Sequence, residues 1–245
     1  VPPALSAFQR RLRTNIEVTV LDIGQGDSIL VELPGGGAAL VDGGGGFESS
    51  WDPGRSVIAP VLWRKGYREL DLLVLTHPHP DHYGGLATVA RWFKPKEAWL
   101  NGQHAVYEPY LHLLDALRES RAKVLAPRRG YARNWPGGVS LSVLNPGEEE
   151  RRGFTSKPAN DASLVIALGQ GKRRVLLTGD IEAGAEAKLL QDPGLLRSDI
   201  LKAPHHGSLT SSSPPFLEAV RPSDAVFNVG RANRFGFPKP EVLKR

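Results

Sequence analysis

"LTHPHPDHYGG", Leu75 to Gly85, sets His77, His79, Asp81 and His82 within six positions, in a chain of 245 residues that has only seven histidines. Pro78 and Pro80 restrict their own backbone and that of the residues before them, so four ligand-type side chains project from one short, stiff loop. Immediately upstream, "ELDLLVLTH" is nearly continuously apolar from Leu70 to Thr76, the pattern of a strand buried on both faces. Immediately downstream, Leu86, Val89, Ala90 and Phe93 fall at i, i+3, i+4 and i+7, which predicts a short amphipathic helix.

Further out, the chain continues as mixed α/β. "IEVTVLDIGQGDSILVEL" (Ile16 to Leu33) reads as two β-rich runs about a Gly-Gln-Gly-Asp turn, and "AALVDGG" (Ala38 to Gly44) as a third run ending in a glycine-rich loop. After the histidine loop come a predicted strand at Glu97 to Leu100 and a helix at Pro109 to Ser120 with Leu111, Leu114 and Leu117 on one face. Strands are predicted near Lys123 to Leu125 and Val139 to Leu144. "ASLVIAL" and "RRVLLTGD" predict a hairpin through the Gly169 to Gly171 turn; a helix from Ile181 to Gln191, a strand at Asp199 to Lys202 and a last strand in "DAVFNVG" follow. Both halves run from strands to helix and strand again, which suits two β-sheets packed together with helices outside. No stretch has the composition of a linker, so one domain over residues 1–245 is expected, with Pro146 to Asn160 as its mobile loop.

Composition narrows the chemistry. There is no cysteine, which removes disulfides, thiolate metal sites and cysteine nucleophiles, so any metal must be held by His, Asp or Glu. No apolar run reaches the length of a membrane span, and "VPPALSAFQRRLRTN" lacks the apolar centre of a signal peptide. The absence of methionine, even at position 1, suggests a piece of a longer polypeptide. A net charge of +5 favours polyanionic partners, although a solvated basic face is the commoner cause of such an excess.

The polar residues fall where the predicted strands end. Asp42 closes one strand, His77 follows another, Asp180 closes a third, and His205 and His206 follow a fourth. Side chains at the ends of neighbouring strands converge, so residues distant in sequence share one cleft. Each piece alone has an ordinary reading: a surface histidine, a helix-capping aspartate. Together, five of the seven histidines lie in two clusters at predicted strand ends in a cysteine-free chain, which points to metal binding, with Asp180 available as a bridging carboxylate. His104 and His112 read as a loop residue and a polar helix-face residue.

"HPHPDH" matches the HxHxDH motif of the metallo-β-lactamase superfamily. The segments "VTVLDIGQGDSILVELPGG", "ALVDGG", "LTHPHPDHYGGL", "NDASLVIAL", "RRVLLTGDIE", "LKAPHHGSLTSSS" and "NVGRANRFGFPKPEVL", in that order, resemble the soluble domain of ComEC-type DNA-uptake (competence) proteins over nearly the whole chain. The resemblance implies an α/β (α+β) fold, an αββα sandwich of two mixed β-sheets packed face to face with helices outside, and two divalent metal ions, Mn2+ or Zn2+, at one edge. It implies that His77, His79 and Asp180 hold one ion, and that Asp81, His82, Asp180 and either His205 or His206 hold the other. Asp42 would orient the loop from behind. Two positions depart from the family. "NDAS" puts Asn160 or Asp161 where many members have a histidine, which makes the first site richer in oxygen and moves the expectation toward manganese. "FGFPKPEVL" puts Phe237 and Lys239 where relatives often have histidines, so those histidines take no part in leaving-group protonation here.

The activity so implied is metal-assisted hydrolysis of a phosphodiester, with Asp81, His82, Asp180 and His206 as the catalytic set. The substrate would be DNA, as the strand that is not imported during natural transformation. The setting would be the outer face of a bacterial cytoplasmic membrane, joined to the membrane channel of a parent protein and monomeric as an isolated domain. Lys202, Ser208 and Lys239 are the expected phosphate contacts. Arg128 and Arg129, in "PRRGYARNW" with Tyr131, Arg133 and Trp135, are the expected backbone and base contacts. The same fold hosts other substrates, so a smaller phosphodiester such as a cell-wall phosphocholine ester, a lactam or a thioester is the first alternative. A DNA-docking module that binds metal poorly is the second.

Overall fold

The structure, a computed structural model, describes residues 9–45, 51–149, 153–155, 159–231 and 233–245. In chain order the first half supplies β1 (Glu17–Val20), β2 (Ile29–Glu32), β3 (Ala38–Val41), α1 (Ala59–Arg64), β4 (Leu72–Leu75), α2 (Pro80–Tyr83), α3 (Leu86–Phe93), β5 (Glu97–Leu100), β6 (Gln103–Ala105), α4 (Glu108–Glu119) and β7 (Lys123–Leu125). The second half supplies β8 (Ala132–Trp135), β9 (Val139–Asn145), β10 (Gly153–Thr155), β11 (Val165–Gln170), β12 (Arg173–Leu177), α5 (Ala183–Leu189), β13 (Ile200–Lys202), α6 (Pro214–Val220), β14 (Asp224–Val226) and α7 (Pro240–Lys244).

Two six-stranded mixed sheets result. The first has the order β1-β2-β3-β4-β5-β7, antiparallel as far as β3 and parallel beyond it. The second has the order β14-β13-β12-β11-β9-β8, parallel from β14 to β12 and antiparallel for the rest. The side-chain period of two explains the continuous apolar runs. Leu72 and Val74 of β4 face the second sheet, against Leu141, Val143, Ile166 and Leu168. Leu73 and Leu75 face outward onto helices α1, α3 and α4. In β11 the same alternation turns Ile166 and Leu168 to the seam and Val165 and Ala167 to the layer of α5 and α6, where Leu189, Phe216 and Val220 lie. The layers are thus helix, sheet, sheet, helix: the αββα sandwich expected.

Two local readings change. On α4 the buried residues are Tyr110, Leu113, Ala116 and Leu117, while Leu111 is exposed and Leu114 only partly buried. An i, i+3, i+6 leucine series drifts around a helix of 3.6 residues per turn, and the aromatic at 110 sets the buried stripe instead. The segment 146–160 is not loop throughout, because β10 within it pairs in parallel with β6; residues 150–152 and 156–158 of the expected mobile loop lie outside the described residues. No described helix is long and apolar enough to cross a membrane.

Candidate metal centre

One edge of the sandwich collects the strand ends that carry polar residues. Asp42 follows β3, Thr76 and His77 follow β4, and Asp81 and His82 lie in the single turn α2. From the second sheet, Asp180 follows β12, His206 lies in the turn after β13, and Asn228 follows β14. Asp27 arrives from the β1–β2 connection. Its neighbour Gly26 (φ +110°) has no room for a side chain, since a Cβ there would stand 2.0 Å from the Asp81 carbonyl oxygen. That close approach lets the Asp27 amide donate to the same carbonyl at 3.1 Å, tying the turn to the histidine loop.

Asp42 organises the first cluster. Buried, and in the left-handed region at φ +59°, it accepts from the Thr76 amide and the Thr76 hydroxyl, each at 2.8 Å, and from His82 Nδ1 at 2.9 Å. The Thr76 hydroxyl, with its hydrogen committed to Asp42, accepts from His77 Nδ1 at 3.1 Å. His77 Nε2 and His79 Nδ1 then stand 3.0 Å apart. Two nitrogens each about 2.1 Å from a common ion lie about this far apart, so this pair has the spacing to share one cation. Burial, then the neighbouring His82 and His79, hold the His77 pKa well below its usual value, so the imidazole is neutral and fit to ligate.

The second cluster joins the two sheets. Ligand atoms of Asp81, His82, Asp180 and His206 all lie within 4.8 Å of one another. Asp180 Oδ2 is 3.2 Å from His82 Nε2 and 3.3 Å from His206 Nε2, and Asp81 Oδ2 is 3.5 Å from His206 Nε2. On the far side of each ring, Nδ1 is already engaged, His82 with Asp42 and His206 with the Asn228 carbonyl at 2.9 Å. A neutral imidazole that donates through Nδ1 presents a lone pair at Nε2, and both Nε2 atoms are buried with no hydrogen-bond partner among the described residues. The residues therefore fit a divalent cation, and acceptors placed behind the ligands are what such a site needs.

The electrostatics agree. Burial opposes a charge on His206, but Asp180 and Asp27 outweigh it and raise the pKa to about 9; at His82, Asp180 and Asp42 likewise overcome burial and raise it well above the usual value. Burial also opposes ionisation of Asp180, yet His206, His82 and Lys202 hold it well below the carboxylate range. A field that draws protons onto two buried imidazoles is one that attracts a cation.

Two contributors were not singled out from the sequence. Asp27 was hidden in "GQGD", which reads as turn punctuation. It is buried, pairs with the Lys202 ammonium, and stands 3.5 Å from His206 Nδ1 and 4.0 Å from His82 Nδ1. A carboxylate following glycines at the close of a turn was the available signal. The Asn228 acceptor is a backbone carbonyl and has no sequence signature.

The other expected residues separate. His206, not His205, enters the cluster; both have left-handed backbones, and His205 turns outward to Glu182 at 3.0 Å and Thr210 at 3.3 Å. Asp161 accepts from the Glu182 amide at 2.7 Å, ahead of α5, while Asn160 Oδ1 is buried and without a hydrogen-bond partner among the described residues. Lys202, expected as a phosphate contact, is buried with its ammonium directed to Asp27, to Asp180 Oδ1 at 3.5 Å and to the Gly179 carbonyl at 3.2 Å. Ser208 is buried and bonded to Thr210 at 2.9 Å. Lys239 lies beside the histidine turn, its amide on the Gly207 carbonyl and its ammonium on the Phe235 carbonyl at 2.7 Å.

The expected nucleic-acid surface at 127–135 is largely occupied by the fold itself. Arg128 is buried and donates to the Asn101 carbonyl at 2.6 Å, Arg129 pairs with Asp192 at 2.6 Å, and Arg133 pairs with Glu97 at 2.9 Å. Arg128 is thus a buried structural tie, while Arg129 and Arg133 stay partly exposed beside their carboxylates. His104 bonds Tyr110 at 2.9 Å and His112 lies beside Glu108, both away from the cluster.

Comparison with known proteins matches residues 21–230 to the metallo-β-lactamase superfamily model. The chain is 31% identical over 239 residues to ComE operon protein 3 of Bacillus subtilis, covering 93% of this chain and 30% of that protein. It is 34% identical over 229 residues to competence protein ComA of Neisseria gonorrhoeae, covering 93% and 29%. The chain thus spans about 30% of the length of these relatives. Among solved structures, a subclass B3 metallo-β-lactamase from a soil metagenome, MEM-A1, aligns with a TM-score of 0.50 at 14% identity, covering 83% of this chain and 88% of that one.

Proposed function

This chain belongs to the metallo-β-lactamase superfamily, and from that premise we propose that it is a metal-dependent phosphodiester hydrolase that cuts DNA. Its substrate would be the strand not imported during natural transformation, on the outer face of a bacterial cytoplasmic membrane, beside the membrane channel of a parent protein. The observation that carries the reading is the cage of Asp81, His82, Asp180 and His206, two carboxylates and two buried imidazoles drawn from both sheets. The substrate assignment is supported by relatives named for competence and by the net charge of +5.

In this reading His77, His79 and Asp180 hold one cation, and Asp81, His82, Asp180 and His206 the other. Two divalent ions, Mn2+ or Zn2+, supply Lewis acidity for the phosphate and lower the pKa of an attacking water. The protein's own part is positional. Asp42 and the Asn228 carbonyl fix the tautomers of His82 and His206. The Asp81 carboxylate, partly exposed and 3.5 Å from His206 Nε2, would orient the attacking water. Lys239, whose amide meets the Gly207 carbonyl beside the histidine turn, would contact the phosphate in this reading.

The test is direct. Purified protein incubated with linear DNA and manganese should cleave it, and Asp81→Ala combined with His82→Ala should abolish cleavage while circular dichroism remains native. Absence of cleavage in the parent protein, or undiminished cleavage in the double variant, rejects the reading.

A further inference from the structure

We propose that Lys202 is a built-in cation that keeps the loaded centre electropositive, so that the site favours an anionic substrate and holds its metals less tightly than its carboxylates alone would. The proposal rests on the two-cation reading above and adds to it a determinant of substrate class.

The argument begins with where the ammonium goes. Lys202 closes β13 with its side chain buried, and Nζ meets three oxygens: Asp27 Oδ2, Asp180 Oδ1 at 3.5 Å and the Gly179 carbonyl at 3.2 Å. No substrate reaches it there, so it cannot act as the phosphate contact that its position beside the histidine pair suggests. It occupies an oxygen-lined position of the kind a small cation would take. It also divides Asp180 in two: Oδ1 faces Lys202, and Oδ2 faces the Nε2 atoms of His82 and His206.

Charge decides what this does. Among the described residues the cluster holds four carboxylates, the buried Asp27, Asp42 and Asp180 and the partly exposed Asp81, of which Asp27 is paired with Lys202. With neutral imidazoles, four carboxylates balance two divalent ions and leave the loaded centre neutral. Adding the ammonium leaves it with one positive charge. Inside a low-dielectric cluster that charge repels metal and attracts a phosphodiester. A residue that merely propped Asp180 in place would do the opposite to metal affinity, because its loss would loosen a ligand.

The two roles separate in a double-mutant cycle read by calorimetric titration with manganese, and then with inorganic phosphate on the manganese-loaded protein. Lys202→Met should bind manganese about tenfold more tightly or better, and bind phosphate about tenfold more weakly, since removing a unit charge near a divalent ion exceeds the 1.4 kcal/mol of a tenfold change even at a high effective dielectric. Asp27→Asn should bind manganese more weakly. The combined variant, which removes both partners of the pair, should return to within about threefold of the parent in both titrations. Unchanged or weaker manganese binding by Lys202→Met, or unchanged phosphate binding, overturns the proposal. If that single variant does not fold, the combined variant decides: parent-like affinities support the charge-balance role, and a large loss of manganese affinity overturns it. Neither titration uses DNA, so a protein that failed to cleave DNA would still answer the question.

Discussion

His205 and His206 are adjacent in sequence and opposite in direction, and the difference is made by backbone conformation and second partners. His206 Nδ1 is held by the Asn228 carbonyl and its Nε2 points into the cage; His205 faces Glu182. Elemental analysis should find that His206→Ala loses a metal equivalent and that His205→Ala keeps its full complement. The pH dependence follows from the same residue. In the metal-free protein the His206 pKa, about 9, exceeds the ordinary histidine value of 6.5, so its protonated form stabilises the fold fully below 6.5 and that contribution is lost as pH rises through about 9. Cations require the neutral ring, so metal affinity should strengthen over the same interval. Thermal melts with and without chelator between pH 6.5 and 9.5 should therefore diverge, the metal-free midpoint falling as the metal-induced rise grows; a midpoint flat in chelator would contradict the assignment. The ligand types were legible from the histidine spacing, since few other patterns crowd such residues on prolines. The direction of Lys202 was not legible, because a lysine at a strand end looks the same from sequence whether it faces solvent or a buried carboxylate.

Among the elements, strands were read more faithfully than helix faces. A strand buried on both sides must be apolar at every position, and β4 between the seam and the helix layer satisfies this with Leu72 to Leu75. On α4 the leucines at 111, 114 and 117 are a poorer guide than the stripe of Tyr110, Leu113, Ala116 and Leu117, because only packing against α3 and the sheet reveals which face is covered. Leu113→Ala should cost about 2–5 kcal/mol in urea unfolding through the cavity it leaves, whereas Leu111→Ala should change stability by less than about 0.5 kcal/mol. Equal effects would mean the buried stripe is misplaced. The short parallel pair β6 and β10 was invisible for another reason: three-residue strands carry too little periodicity, and their partnership is a contact between segments far apart in the chain.

At the scale of the whole molecule, the division into two sheets with outer helices could be inferred from the repeated order of elements, but the strand order within each sheet could not, since parallel neighbours are set by crossovers and not by local pattern. The basic excess was legible as a total and not as a surface. Arg128 is buried and Arg129 and Arg133 are paired with carboxylates, so in the proposed function the summed field of the domain would supply most of the attraction for a polyanion. Binding of DNA to the protein should accordingly weaken steeply between about 50 and 200 mM salt, whereas turnover of a small neutral ester should not; fluorescence anisotropy and a chromogenic assay measure the two. The cage has one further mechanical meaning. Asp81 and His82 belong to one layer, Asp180 and His206 to the other, so an ion among them would be a rivet through the seam of the sandwich, set beside the Lys202–Asp27 pair that already crosses it.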